Sequence, residues 1–162
     1  MQRTGRAHRL PADIDTDQII PGEYLNTVPE AELGEYVLEG YDPDFAERVQ
    51  PGDILVAGEN FGLGSSREAA PVAIRNAEIG GVIAESFARI FYRNSINVGL
   101  PIAIVPTITD HVDDGDTVSM DLRAGTVVNE STGDRFETDR LPPHLGEILE
   151  AGGLIDHVQS QG

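Results

Sequence analysis

The chain has 162 residues, of which 40% are hydrophobic, and no apolar run approaches the roughly 18 residues that cross a membrane. These proportions predict a single globular domain over residues 1–162, with a frayed tail at about 156–162. The formal charge of −17 disfavours nucleic acid and membranes as partners, and the lack of cysteine excludes disulfides, a thiol nucleophile and a cysteine-held zinc or iron–sulfur cluster on this chain.

The charge and the first ten residues give two further expectations. Acidic residues dominate and the basic residues are all arginine. This composition suits a salt-rich cytoplasm, in which repulsion between carboxylates is screened, so it predicts a salt-adapted host. The opening sequence, MQRTGRAHRL, lacks the apolar core of a signal peptide, which predicts a cytoplasmic protein.

A predicted strand over residues 4–10 leads into an aspartate-rich loop, PADIDTDQIIPGEYLNT. The alternating aspartates, beginning at Asp13, are reminiscent of a calcium loop. However, positions 6 and 12 of an EF-hand, counted from Asp13, hold Gln18 and Tyr24 instead of glycine and glutamate, so calcium binding is disfavoured. One aspartate is therefore expected to be a catalytic or orienting carboxylate, and the others to form turns.

The following elements alternate between helix and strand. The pattern predicts helices over 31–39, 43–49, 66–78 and 85–99, and strands over 53–58, 82–84 and 100–105. Such alternation favours parallel strands joined by right-handed crossovers. After residue 107 the sequence predicts short strands that turn at 124–125 and 132–134, followed by a helical turn over 145–150.

The stretch NFGLGSSRE, residues 60–68, joins a predicted strand to a predicted helix. Gly62 and Gly64 permit positive φ and close approach of an anion to the backbone, and the N–H groups of a helix N-terminus favour anions. Arg67 has the geometry to hold a carboxylate or phosphate with two hydrogen bonds. The spacing matches neither a dinucleotide-binding motif nor a P-loop. Ser65 with Glu68 also fits a simple capping box, and that alternative stays open.

Three motifs, in this order and spacing, carry a resemblance to a known family: DIDTDQIIPGEYL, NFGLGSSRE and SFARIFYRNSINVGLP. They resemble the small subunits of 3-isopropylmalate dehydratase and the related homoaconitase, over about residues 5–106 and in the terminal GEILEAGGL. The resemblance implies an α/β fold, a β/β/α swivelling domain as in the last domain of aconitase. It also implies a cytoplasmic hydro-lyase subunit that interconverts 2- and 3-isopropylmalate in leucine biosynthesis.

The family pattern implies a partner and a set of residue roles. The partner is a large subunit, in a heterodimer or heterotetramer, that holds a [4Fe-4S] cluster; this chain is expected to bind no cofactor itself. Matching the motifs implies that Ser65 is the catalytic base and Asp17 the carboxylate beside it. Ser66 and Arg67 are expected to bind a substrate carboxylate, with Gly64 letting it approach the backbone. A nearby guanidinium and a helix N-terminus favour the anionic form of a serine.

The segment YLNT, residues 24–27, resembles the family's selector of the substrate's variable arm. Apolar residues there suit isopropylmalate, and an arginine suits homoaconitate. Asn26 is neither, so it either hydrogen-bonds a polar arm or turns the loop. Ala69 and Leu63 replace a histidine and a cysteine that are frequent in the family. Neither difference removes a residue proposed to act as base or to hold a carboxylate.

Homoaconitate, citrate and a methylated malate remain alternative substrates, so the chain is alternatively the small subunit of homoaconitase or of another malate-type hydro-lyase. Two other classes of function also remain, along with two groups of residues of open role. The chain is alternatively a non-catalytic carboxylate-binding module, or a structural partner in which Ser65 only caps a helix. A set of polar residues in the third motif either faces the anionic site or caps a helix end: Arg89, Arg93, Asn94 and Asn97. The histidines show no metal-ligand spacing and are expected at the surface: His8, His111, His144 and His157.

Overall fold

The structure, a computed structural model, describes residues 2–64, 67–139 and 143–151, so the predicted frayed tail lies outside the described residues. The strands are β1 (Gln2–Arg9), β2 (Ile54–Ala57), β3 (Gly81–Ala84), β4 (Ile102–Ile104), β5 (Thr117–Asp121), β6 (Thr126–Asn129) and β7 (Asp134–Glu137). The α-helices are α1 (Thr16–Ile19), α2 (Phe45–Arg48), α3 (Ala69–Asn76), α4 (Arg89–Asn97) and α5 (Pro143–Ala151), and 3-10 helices cover Gly22–Leu25, Glu30–Tyr36 and Ile108–Asp110.

All seven strands form one mixed sheet in the order β4-β3-β2-β1-β5-β6-β7. Strands β1 to β4 are parallel neighbours, whereas β5, β6 and β7 continue the sheet antiparallel from the other side of β1. Every residue of β2 and β3 is buried, as expected where helices cover both faces of a parallel sheet. The predicted alternation and the later strands with their turns are confirmed. No helix in the described parts of the chain is long and apolar enough to cross a membrane.

Helix α3 begins at Ala69, three residues later than the predicted start at residue 66. Pro71 explains the difference. Starting at residue 69, the helix places Pro71 at its third position, where the missing N–H has no intrahelical partner to lose. An earlier start would require that N–H to bond Arg67 and would press the proline ring against its carbonyl. Glu68 occupies the N-cap position of this helix without a side-chain cap bond. Ser65, the other member of the alternative capping box, lies outside the described residues.

Helix α4 begins at Arg89, although the sequence predicted helix from residue 85. The preceding residues pair with the glycine-spaced stretch instead. Phe61 N–H donates to Ser86 O at 3.0 Å, and Ala88 N–H donates to Phe61 O at 3.0 Å. Backbone groups engaged in this isolated bridge are unavailable for a first helical turn.

His8 is buried, with 7% of its surface exposed, so its predicted surface location is wrong. Its Nε2 lies 2.6 Å from Asp53 Oδ2, and its ring meets the edge of Phe45 at 5.2 Å. The same oxygen accepts hydrogen bonds from Gln50 N–H at 2.9 Å and Arg6 Nη2 at 3.3 Å. A histidine on a strand is readily buried when a carboxylate satisfies its ring nitrogen. Two other histidines, His111 and His144, are exposed, and His157 lies outside the described residues.

The polar neighbours of Asp53 control its pKa. Burial by itself raises the pKa of this carboxyl, but the Gln50 N–H, His8 and Arg6 together outweigh burial and hold the pKa below its ordinary value. The charged form is therefore stabilised in the folded protein, where Asp53, directly before β2, contacts His8 of the neighbouring β1.

We expect Asp53→Asn to lower the free energy of unfolding by about 1–3 kcal/mol at pH 7, because a neutral amide pairs poorly with His8, Arg6 and Gln50 N–H. The folded-state pKa is depressed, so this stabilisation is present above about pH 4 and is lost as pH falls through the folded-state value. Urea unfolding at several pH values should show the gap between wild type and variant shrinking from pH 5 to pH 3.

The exposed Asp134 on β7 supplies a matched control, and Asp134→Asn should change stability by less than about 0.5 kcal/mol. A gap for Asp53→Asn that stays constant down to pH 3 would contradict the assignment.

Candidate active site

The candidate site lies beyond the carboxyl ends of the parallel strands, the edge where open α/β sheets commonly bind ligands. The loop after β1, residues 10–15, and the loop after β2, residues 58–64, run side by side there. Asp13 N–H donates to Glu59 O at 2.8 Å, and Gly62 N–H donates to Ile14 O at 2.7 Å. Thr16 N–H donates to Leu63 O at 2.9 Å. The aspartate loop and the glycine loop therefore form one hydrogen-bonded unit.

A side-chain bond reinforces this unit where both backbones are strained. Asp13 and Asn60 have φ values of 62° and 61°, in the left-handed region that non-glycine residues seldom adopt. Asn60 Nδ2 donates to Asp13 Oδ1 at 3.0 Å, and Asn60 N–H donates to Ser86 Oγ at 2.8 Å. Strained residues that are held by their surroundings cluster at functional sites.

Gly62 allows the glycine loop to pack closely against the core. Its φ is 85°, and a Cβ on it would lie 2.2 Å from Cγ of Phe91. Phe91 in turn packs edge-on against Phe61 at 5.2 Å. Gly64, with φ of 106°, is exposed, and a Cβ there would lie 3.2 Å from Thr16 Oγ1. Both positions require glycine, but the sequence did not reveal that an aromatic ring sets the requirement at Gly62.

The aspartates of the first loop have separate roles. Asp15 caps α1 in a reciprocal pair: its Oδ1 accepts from Gln18 N–H at 2.8 Å, and its own N–H donates to Gln18 Oε1 at 3.0 Å. Asp13 holds Asn60. Asp17 lies in the first turn of α1, with 69% of its side chain exposed. Asp15 thus has a local capping role and Asp13 a tertiary one, whereas the expected catalytic or orienting role of one aspartate stays a prediction.

Asp17 and Arg67 meet although 50 residues separate them in sequence. Arg67 Nη1 lies 2.7 Å from Asp17 Oδ1, and 34% of the arginine side chain is exposed. Gly22 packs beside the guanidinium, since a Cβ on it would lie 3.1 Å from Nη1. A guanidinium has five N–H donors, more than one carboxylate oxygen accepts. The pair thus presents an oriented cation at the candidate site.

Ser65 and Ser66, the predicted base and substrate ligand, lie outside the described residues. The residues on either side of them contact the same short helix: Gly64 packs against Thr16, and Arg67 pairs with Asp17. Asn26 is exposed directly after the 3-10 helix Gly22–Leu25, whose first residue packs on Arg67. One turn of helix therefore links the Arg67 contact to the predicted selector residue.

Two hollows lie beside residues of the site motifs, and neither is lined by Asp17, Gly64 or Arg67. A cavity of about 540 Å³ is lined by Arg9, Leu10, Pro11, Ala12, Tyr41, Gly58, Glu85, Thr109 and Asp114. A hollow of about 350 Å³ is lined by Arg89, Tyr92, Arg93, Ile96, Asn97 and Leu145. Polar residues of the third motif thus share a hollow of their own. Within residues 2–64, 67–139 and 143–151, no group of three His, Asp or Glu side chains is arranged to hold a metal ion.

Sequence reasoning missed Asn60 and Gly22 as parts of the site. Asparagine adopts positive φ more readily than most residues, so its position in a glycine-spaced turn was the available signal for Asn60. Gly22 follows a proline and looked like an ordinary turn residue. Its contact with Arg67 depends on a tertiary arrangement that local sequence does not encode.

Comparisons with known proteins place the chain among small subunits of one enzyme group. Residues 40–106 match the family model of the aconitase C-terminal domain, which confirms the predicted fold class. The 3-isopropylmalate dehydratase small subunit 1 of Methanopyrus kandleri is 51% identical over 158 residues, covering 98% of this chain and 93% of that protein. The methanogen homoaconitase small subunit of Methanothermobacter thermautotrophicus is 50% identical over 153 residues, covering 94% and 88%.

A solved structure gives the same result. The crystal structure of 3-isopropylmalate dehydratase from Methanocaldococcus jannaschii matches with a TM-score of 0.92 at 46% identity, covering 99% of this chain and 95% of that one.

The strained pairing of Asn60 with Asp13 predicts an unusual order of stabilities. Asn60→Gly keeps the positive φ without strain and loses the side-chain bond, whereas Asn60→Ala loses the bond and adds the cost of a left-handed Cβ, about 1–2 kcal/mol. We expect the alanine variant to be the less stable by about 1 kcal/mol in urea unfolding. At the helical Asn97 the order should reverse, because alanine favours helix over glycine. An alanine variant at 60 as stable as the glycine variant would contradict the strain.

Proposed function

Since the chain belongs to the 3-isopropylmalate dehydratase small-subunit family, we propose that it is the small subunit of a hydro-lyase that interconverts 2- and 3-isopropylmalate in leucine biosynthesis. The observation that carries this proposal is the near-full-length identity of about half the residues with a protein of that name. The oriented Arg67 beside the serine pair supports it, because a dianionic hydroxy acid needs a fixed cation on a chain of formal charge −17.

The identity of the substrate, which differs in its variable arm, is a separate part of the proposal. Relatives named for isopropylmalate and for homoaconitate match the chain almost equally, at 51% and 50% identity, so overall similarity does not separate the two arms. Isopropylmalate remains the first candidate because five relatives that are 46–51% identical to the chain bear that name. Homoaconitate is the second candidate, since the exposed amide of Asn26 would pair with a polar arm.

The residue roles follow from the chemistry of removing a carbon-bound proton. Ser65 is the proposed base, and Ser66 and Arg67 are the proposed ligands of a substrate carboxylate. Asp17 Oδ1 accepts a hydrogen bond from Arg67 Nη1 at 2.7 Å, and Gly22 packs against the side of the guanidinium. A guanidinium fixed in this way orients the carboxylate, and correct orientation is a large part of enzymatic rate. The same positive charge favours the anionic form of a neighbouring hydroxyl.

We propose that the partner is a large subunit that carries the [4Fe-4S] cluster, in a heterodimer or heterotetramer. The present chain does not fit as the holder of such a cluster, because it has no cysteine. Its contribution is the base and the carboxylate-binding groups. A non-catalytic carboxylate-binding module is the alternative. Calorimetry with malate-like diacids on the isolated chain separates the two, since tight binding without any large subunit would favour the module.

We expect dehydratase activity only after the chain is mixed anaerobically with an iron–sulfur large subunit. In that mixture, Ser65→Ala should lower kcat by about 10²–10⁴-fold, the usual contribution of a general base. Arg67→Lys should raise KM, because lysine cannot form a two-point bond with a carboxylate. The measurement is steady-state turnover of 2- and 3-isopropylmalate, with assembly checked by gel filtration. Arg135→Lys, at the exposed edge strand β7, is the matched control. Unchanged turnover of Ser65→Ala would eliminate Ser65 as the base.

We also propose that the acidic surface is an adaptation to a salt-rich cytoplasm. Raising KCl from about 0.1 M to about 1 M shortens the screening length from roughly 10 Å to 3 Å, which weakens repulsion among surface carboxylates. The melting temperature should therefore rise with KCl, as measured by circular dichroism. Loss of structure in molar KCl would contradict the adaptation. The cytoplasmic location stays a prediction.

A further inference from the structure

The Tyr24 side chain, at the start of the predicted selector segment, is held by two neighbours. Its hydroxyl donates a hydrogen bond to Glu39 Oε1. Its ring stacks on Tyr36, with centroids 4.4 Å apart and planes 28° from parallel. The bond to Glu39, together with its negative charge, raises the pKa of Tyr24 to about 12, so the hydroxyl remains a donor at physiological pH. All three side chains are partly buried.

Residues 36–40, which supply both neighbours, also pack against the helix that carries Asp17. Leu38 N–H donates to Ile19 O at 2.7 Å. A Cβ on Gly40 would lie 2.5 Å from Asp17 O, so the two backbones are in direct contact. Leu38 is fully buried with φ of 55°, which shows that the segment is held firmly in a strained conformation. One segment therefore supports both the Asp17 helix and Tyr24.

The turn that carries Asn26 closes on Tyr24. Val28 N–H donates to Tyr24 O at 3.0 Å, and Thr27 Oγ1 donates to Glu23 O at 3.0 Å. The position of Asn26 is thus tied to Tyr24, and through residues 36–40 to Asp17. This connection joins the residue proposed to select the variable arm to the pair proposed to orient the common carboxylate.

We propose that Glu39 and Tyr36 are positioning residues for substrate specificity: they fix Tyr24, and Tyr24 fixes Asn26 relative to Asp17 and Arg67. The inference rests on the proposed function. A polar group distinguishes two ligands only when it is held in place, because a mobile loop adapts to either arm. Glu39 acts on the substrate through Tyr24 and is not itself a catalytic residue.

The test uses the chain reconstituted with its large subunit and two substrates, isopropylmalate and a malate derivative whose arm ends in a carboxylate. Tyr24→Phe and Glu39→Ala should each change the ratio of the two kcat/KM values by about five-fold or more, through KM, with kcat changed less than about two-fold. Glu39→Gln should stay closer to wild type, because an amide oxygen still accepts the bond. The double variant should add little, since both changes break one contact.

Glu35→Ala is the matched control, as Glu35 is an exposed glutamate on the same 3-10 helix as Tyr36. An equal fall in kcat/KM for both substrates, with the ratio preserved, would overturn the specificity role. If Glu39→Ala does not fold, Tyr24→Phe, which loses only one hydroxyl, decides by the same ratio.

Hydrogen exchange on the isolated chain separates this inference from the proposed function. Glu39→Ala and Tyr24→Phe should speed exchange of the amides in residues 22–28 several-fold relative to Glu35→Ala. Unchanged exchange would overturn the positioning role, whether or not any complex is active. Inactivity of every complex, wild type included, would overturn the proposed function, and the exchange result would still decide whether Glu39 holds the loop.

Discussion

The hydrogen bonds between the loops after β1 and β2 are the constraint on which the site depends. They align the aspartate loop with the glycine loop, so that Asp17 and Arg67 meet across 50 residues of sequence. The sequence of either loop does not by itself impose the observed conformation. Each loop is rich in turn residues and contains a non-glycine residue at positive φ, which is unfavourable without support from its surroundings. The strain at Asp13 and Asn60 is offset by their mutual bond and by the fully buried strand β2, from which the glycine loop emerges.

Periodicity predicted most of the fold. The buried runs of β2 and β3 and the turns of the β5–β7 meander are local features, and they were recognised from local sequence. Of the two helix starts that were predicted too early, one has a local cause and the other a tertiary cause. The sequence contained the reason for the later start of α3, namely Pro71, but the start of α4 depends on pairing with Phe61, which is distant in sequence. Burial of His8 likewise depends on Asp53, which a strand pattern does not reveal.

For the site, motif resemblance predicted the residues, and the structure shows how the described ones are arranged. The pairing of Asp17 with Arg67 agrees with the implied neighbourhood of substrate-binding groups. The contacts of Gly22 and Glu39 had no local signature, because a glycine after a proline and a glutamate in a turn are common without function. The proposed roles of Ser65 and Ser66 rest on the motif resemblance and on the proposed chemistry.

The position of β1 at the centre of the sheet has a consequence for how the molecule folds. This strand lies between the parallel and the antiparallel halves of the sheet. Its Ala7 pairs with Ile54 of β2 on one side, and its Gly5 pairs with Val118 of β5 on the other. Neither half can be completed by local hairpins alone, so ordering the centre requires closure of very long loops. Sheets joined by such distant contacts fold slowly. Until β5 docks, one edge of β1 lacks its partner, and an unpaired strand edge is open to pairing with another chain.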